Sequence, residues 1–188
     1  MITYTTSKTT EDLSEIIDLQ NSNLRQNLTA EEIQNQGFLT VSYSMETLQK
    51  MQNKERHIIA KHKDKIVGYV LALTEKSKLD IPVLASMFET FNQIQYNEKL
   101  VSSYNYIAVG QICIDKEYRA RGLFDGCYET YKNYFKNKYD FAITEIATAN
   151  TRSRASHKRN GFTEIHTYKD FNDLEWVIVI LDWNNKPA

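Results

Sequence analysis

Residues 111–124 read Gln-Ile-Cys-Ile-Asp-Lys-Glu-Tyr-Arg-Ala-Arg-Gly-Leu-Phe: an apolar strand, a polar turn with two close arginines, then a glycine where an amphipathic helix begins. That order aims backbone N–H groups and a helix N-terminus at one spot, which attracts a pyrophosphate. Residues 150–162 add Asn150, His157 and a second basic cluster. Between the two blocks, Glu145 interrupts an otherwise apolar strand. A carboxylate there is either a proton acceptor or an edge-facing or salt-bridged group. His157 can donate a proton at neutral pH, hydrogen-bond a ligand without transferring one, or simply pack.

The elements that must carry these groups follow from spacing. Ile2–Thr6 alternates as a first strand. Thr9 or Thr10 caps a helix bearing Leu13, Ile16, Ile17 and Leu24 at helical intervals. Thr29 and Glu32 make a capping box for a second helix, which Gly37 interrupts, and Ser44 caps a third. Residues 57–60 and 66–73 flank Lys63, Asp64 and Lys65 as a hairpin. Residues 81–94 hold a helical pattern with Pro82 in its first turn. Residues 104–114 form a strand, and Leu123, Cys127, Tyr131 and Phe135 then recur as one helical stripe. Phe141–Ala147 is the next strand. Asn150 caps a helix that ends at Gly161, and two strands, 162–168 and 176–183, close the chain. The expected class is α/β, in one domain over residues 1–188.

Composition narrows the partners. The 188 residues are 41% hydrophobic and 25% charged with a formal net charge of -1, so nothing global argues for nucleic acid. The basic residues form local clusters, which suit a small polyanion. Cys113 and Cys127 make no C-x-x-C pair and are expected to be small buried hydrophobes. The four histidines have no partners at metal-ligand spacing, so no metal is expected. No leader pattern and no long apolar run are present, which implies a cytoplasmic protein with no membrane partner.

These blocks, in this order, resemble the GNAT superfamily of acetyl-CoA-dependent N-acetyltransferases over residues 3–183. The family's first signature, Gln/Arg-x-x-Gly-x-Gly/Ala, corresponds to Arg119, Gly122 and Phe124, with Phe124 replacing the final small residue. The second, Asn-x-x-Ala/Ser-x-x-x-Tyr-x-x-x-Gly-Phe, corresponds to Asn150, Ser153, His157, Gly161 and Phe162. The resemblance implies a central mixed, mostly antiparallel sheet of about seven strands flanked by helices. It also implies a cleft where two parallel strands, 106–114 and 141–147, splay apart. Acetyl-CoA is the implied cosubstrate. Its pyrophosphate would meet the turn formed by Arg119, Ala120, Arg121, Gly122, Leu123, Phe124 and Asp125, with Phe124 turned away from the phosphates. Its pantetheine arm would pair along Ile112, Cys113 and Ile114, steadied by Asn150.

By the same resemblance, Glu145 aligns with the base of ribosomal-protein N-terminal acetyltransferases, and His157 stands where the family has a tyrosine acid. Asp115 and Tyr168 are the backup acids. The implied acceptor is a primary amine of a small molecule or peptide, held between residues 23–29 and 168–173. The connection 75–103 is expected either to reshape that groove or to mediate a homodimer. The departures at Phe124 and His157 also fit a catalytically silent acyl-CoA sensor. A nucleotide-binding regulator is disfavoured by the balanced charge and the missing P-loop lysine.

Overall fold

Local side-chain caps start the early helices of the computed structural model, which describes residues 1–79, 81 and 84–184. The Thr9 hydroxyl accepts the Asp12 amide, and the Asp12 carboxylate accepts the Thr9 amide, opening α1 (Thr10–Asn21). Thr29 and Glu32 repeat the device at α2 (Ala30–Gln36). Ser44 accepts the Thr47 amide at α3 (Met45–Lys54). The remaining helices are α4 (Ala85–Gln93), α5 (Leu123–Phe135) and α6 (Thr151–Arg159). Pro82, expected in the first turn of the connection helix, lies outside the described residues.

The main sheet is built from β1 (Ile2–Thr6), β2 (Ile58–His62), β3 (Lys65–Leu73), β6 (Ile107–Ile114), β7 (Phe141–Ala147), β8 (Thr163–Lys169) and β9 (Glu175–Asp182). Its order is β1-β2-β3-β6-β7-β9-β8. Every neighbouring pair is antiparallel except β6 and β7. A separate two-residue hairpin joins β4 (Gln95–Tyr96) to β5 (Lys99–Leu100). Its turn uses positive φ at Asn97 and Glu98 without a glycine, so it lacks the usual hairpin signal.

Period-two alternation splits the strands between two cores. Ile59, Tyr69, Leu71, Ile143 and Ile178 face the side covered by α1, α3 and α4. Val70, Ala72, Val109, Val177 and Val179 face α5. The α5 stripe of Leu123, Cys127, Tyr131 and Phe135 is fully buried there. Burying each large apolar member contributes about 1.5–3 kcal/mol. The connection helix α4 also packs inward, through Met87, Phe88 and Phe91.

One local irregularity opens the sheet. β6 pairs with β7 only at Ile107–Ala142 and Ala108–Ile143. In the β3 ladder, Leu71 faces Gln111 while Ala72 faces Val109, so Gly110 is an extra residue. Such a bulge bends its strand and sharpens the twist, which turns the second half of β6 away from β7. The Thr144 hydroxyl donates to the Val109 carbonyl at 2.8 Å, closing the sheet just where strand pairing stops.

Candidate functional site

Two grooves meet at the splay. The larger, about 360 Å³, runs from the 118–124 turn along Ile112, Cys113 and Ile114 to α6. The smaller, about 90 Å³, lies between the parted strands and reaches Glu145. Both are lined by Phe38, Leu39, Ile112, Asn150 and Ser153, so they are continuous.

Glu145 sits on β7 facing the smaller groove. The Tyr168 hydroxyl donates to its carboxylate at 2.5 Å. Burial pushes the Glu145 pKa up to about 7; the Tyr168 bond opposes the rise and the nearby Asp170 charge adds to it. Burial, with the Glu145 charge, in turn raises the Tyr168 phenol. Asp170 is held in the β8–β9 turn, accepting the Asn172 and Leu174 amides and the Trp176 indole N–H. Aside from His157, Glu145 is the one ionisable side chain among the described residues lining this groove.

The 118–122 turn reaches α5 through positive φ at Ala120 and Gly122. Gly122 caps α5 with φ 78° and no side-chain bond, leaving the first-turn amides of Leu123, Phe124 and Asp125 without intrahelical partners. A Cβ at Gly122 would point into open space at the mouth of the larger groove. This arrangement can accept a diphosphate.

The Arg119 guanidinium uses four of its five N–H donors within the protein. It donates to the Ile114 carbonyl, to the carbonyl and side chain of Gln36, and to the Asn23 side chain at 2.5 Å. Arg119 therefore ties the end of β6 to the α1–α2 region. Arg121 lies over the Tyr118 ring, 5.8 Å from its centre. The Asp125 carboxylate accepts from Arg159 and Asn160, joining α5 to α6.

Asn150 has both ends of its amide bonded. Its oxygen caps α6 at the Ser153 amide, and its NH₂ donates to the Phe38 carbonyl. That bond holds residues 37–41 across the splay. Gly37 has φ +74°, and a Cβ there would come within 3.0 Å of the Asn150 oxygen. Of the 23–29 segment, Asn23 borders the larger groove. The smaller groove is roofed by Phe38, Leu39, Thr40 and Val41, which sequence reasoning missed. The positive-φ glycine before them was the available signal.

The two departures from the family signature touch each other. The Phe124 ring packs edge-on to Tyr128 and His157, at 5.1 and 5.2 Å between centres. His157 is 2% exposed. Its Nδ1 lies 2.8 Å from the Ser153 carbonyl, which can only accept, so Nδ1 carries the proton. Nε2 then accepts from the Tyr128 hydroxyl at 2.7 Å. Burial drives the His157 pKa down to about 4, so the ring is neutral. Cys113 lines the larger groove, but burial pushes its thiol up to about 12. Among the described residues no group of His, Cys, Asp and Glu is arranged to hold a metal, and no helix is long and apolar enough to cross a membrane.

The chain thus joins a mixed sheet, opened beside its parallel strand pair, to a helix N-terminus that carries no side-chain cap. The chain matches the sequence profile of the acetyltransferase (GNAT) family over residues 18–162, and it belongs to that family. Among solved structures of similar fold is the ribosomal-protein-S18-alanine N-acetyltransferase from Escherichia coli. It is 13% identical with a TM-score of 0.64, covering 100% of this chain and 97% of that one. Another is Arabidopsis thaliana NAA60 in complex with acetyl-CoA, 12% identical with a TM-score of 0.67, covering 97% and 99%. An N-acetyltransferase from Staphylococcus aureus is 15% identical with a TM-score of 0.62, covering 98% and 99%. Identities this low speak to the fold alone. No curated protein matches the chain.

Proposed function

We propose that this protein transfers the acetyl group of acetyl-CoA to a primary amine of a small molecule or peptide, by direct attack in a ternary complex. The observation that carries this reading is the continuity of the two grooves. A thioester at their shared stretch, beside Ile112 and Asn150, lies next to the pocket that contains Glu145. The larger groove fits the rest of the ligand. The amides from Ala120 to Asp125 take the pyrophosphate at the open N-terminus of α5, and the free edge of β6 at Ile112–Ile114 pairs with the pantetheine arm. A backbone N–H on that edge bonds the thioester carbonyl more strongly as negative charge develops.

Glu145 is the base. An amine attacks only when deprotonated, and a carboxyl with a pKa of about 7 is poised to take that proton near neutral pH. The proton balances at the departing thiolate, directly or through water. The raised Cys113 thiol supports direct attack, because an acyl-cysteine route needs a thiolate. This reading withdraws His157 as the acid, since its Nδ1 proton is bound to its own helix and its Nε2 is already occupied by Tyr128. Phe124 packs edge-on to His157, so the two signature departures form one contact.

The small groove is lined about equally by polar and apolar surface and holds one carboxyl group, which suits a single amine better than a polycation. A peptide N-terminus is one such acceptor, and the similar Escherichia coli structure is of an enzyme named for acetylating an alanine of a ribosomal protein. The sheet takes its edge strands from near the two ends of the chain, which supports one domain over residues 1–188. The test is release of free CoA thiol from acetyl-CoA across a panel of monoamines and peptides, with product acetylation read by mass spectrometry. Amine-dependent release with an acetylated product is the expected result. Tight acetyl-CoA binding with no turnover on any acceptor would replace the enzyme by a sensor.

A further inference from the structure

With His157 withdrawn, the departing sulfur needs another partner, and the position of that partner can be read from the residues common to both grooves. Phe38, Leu39 and Ile112 bring apolar side chains. Both ends of the Asn150 amide are bonded. Ser153 brings the remaining polar side chain. Its backbone amide is taken by Asn150, but its hydroxyl has one contact, with His157 Nδ1 at 3.3 Å.

That contact has a direction. Nδ1 must carry a proton to satisfy the Ser153 carbonyl, and Tyr128 fixes the tautomer by donating to Nε2. An N–H can only donate, so Ser153 Oγ is at most the weak second acceptor of that proton. The hydroxyl therefore keeps its own O–H for the groove. His157 and Tyr128 act behind it as a buried pair that blocks the hydroxyl from donating backwards.

We infer that Ser153 Oγ donates its hydrogen bond to the sulfur of the leaving thiolate, the task that the resemblance assigned to the residue at position 157. This rests on the transferase reading above. The step is the breaking of the carbon–sulfur bond, in which the electron pair goes to sulfur. Ser153 keeps its proton and stabilises the thiolate by a hydrogen bond. The proton that finally converts thiolate to thiol comes from the attacking amine. A hydrogen bond to a charged partner that forms only as the bond breaks lowers the barrier without tightening ground-state binding.

The test compares CoA with desulfo-CoA, which lacks the sulfur, by calorimetric titration of wild type and Ser153→Ala between pH 7 and pH 10. Alanine keeps the helix and the backbone bond to Asn150, and thermal melting checks the fold. In the wild type, CoA should gain on desulfo-CoA as the thiol, an alkyl thiol less acidic than a cysteine at about 8.5, begins to ionise towards the top of that range. In Ser153→Ala that gain should disappear while desulfo-CoA binds as before, and kcat should fall by about tenfold to a hundredfold with little change in KM for acetyl-CoA. A wild-type gain that survives in Ser153→Ala, or no gain in the wild type, overturns the role of Ser153 and leaves the transferase reading standing. If neither ligand binds the wild type, both fall.

Discussion

Replacing Glu145 by glutamine should abolish turnover and, at alkaline pH, make the protein more stable. The carboxyl pKa rises from an ordinary 4.5 to about 7, with burial as the main cause. Below the ordinary carboxylate range, the folded and unfolded chains both hold the proton and the group has no effect on stability. As pH climbs from 4.5 through about 7, the unfolded chain ionises first, so folding becomes progressively less favourable. Above that interval the penalty is constant, at about 3 kcal/mol. Glutamine carries no charge and can still accept the Tyr168 hydroxyl, which now bonds Glu145. Glu145→Gln should therefore raise the melting temperature by roughly 6–12 °C at pH 9 and by almost nothing at pH 4.5. The assay is thermal melting of both proteins across that pH range, beside initial rates at saturating acetyl-CoA. In the wild type, kcat/KM should fall about tenfold for each pH unit below 7. A stability difference that does not change with pH would refute the buried, proton-accepting state of Glu145. Full turnover by the variant would refute its role as base.

Other substitutions test the frame around the site. Arg119→Ala should cost about 2–4 kcal/mol in a denaturant melt, because it leaves the Asn23, Gln36 and Ile114 oxygens without their donor. Lysine should not restore it, since an ammonium cannot span three partners in a plane. Gly37→Ala should lose about 1–2 kcal/mol, from positive φ and the close Asn150 oxygen, and should weaken acetyl-CoA binding as residues 38–41 shift. Gly122→Ala meets no protein atom, so it should cost only about 1 kcal/mol of backbone strain, yet lower acetyl-CoA affinity by about tenfold where the new methyl enters the groove.

Helix starts were legible because caps are local: Thr9, Thr29 and Ser44 each bond an amide three residues on. The α5 stripe was legible for the same reason, since one period sets one buried face. The groove geometry was not local. The splay depends on an extra residue at Gly110, which becomes a bulge only when β3 supplies a partner register. The roof at residues 38–41 is fixed by Asn150, more than a hundred positions away, so no spacing rule reaches it. The charge of Arg119 is visible in the sequence, whereas its four internal acceptors are brought together only by the fold. The ordinary pKa of histidine is legible at position 157, whereas the burial beside Phe124 and Tyr128 that lowers it is set by the fold. Glu145 was visible as a polar break in an apolar strand, although nothing in that break disclosed Tyr168 as its partner.

Binding of acetyl-CoA in the continuous groove is the proposal on which the rest depends, and thermal melting with acetyl-CoA, using ATP as the control, decides it. At about a hundred times Kd, acetyl-CoA should stabilise the native state by about 2.7 kcal/mol and raise the melting temperature by roughly 5–10 °C, while ATP leaves it unchanged. No rise at millimolar acetyl-CoA, or an equal rise with ATP, would rule out an acetyl-CoA site in that groove.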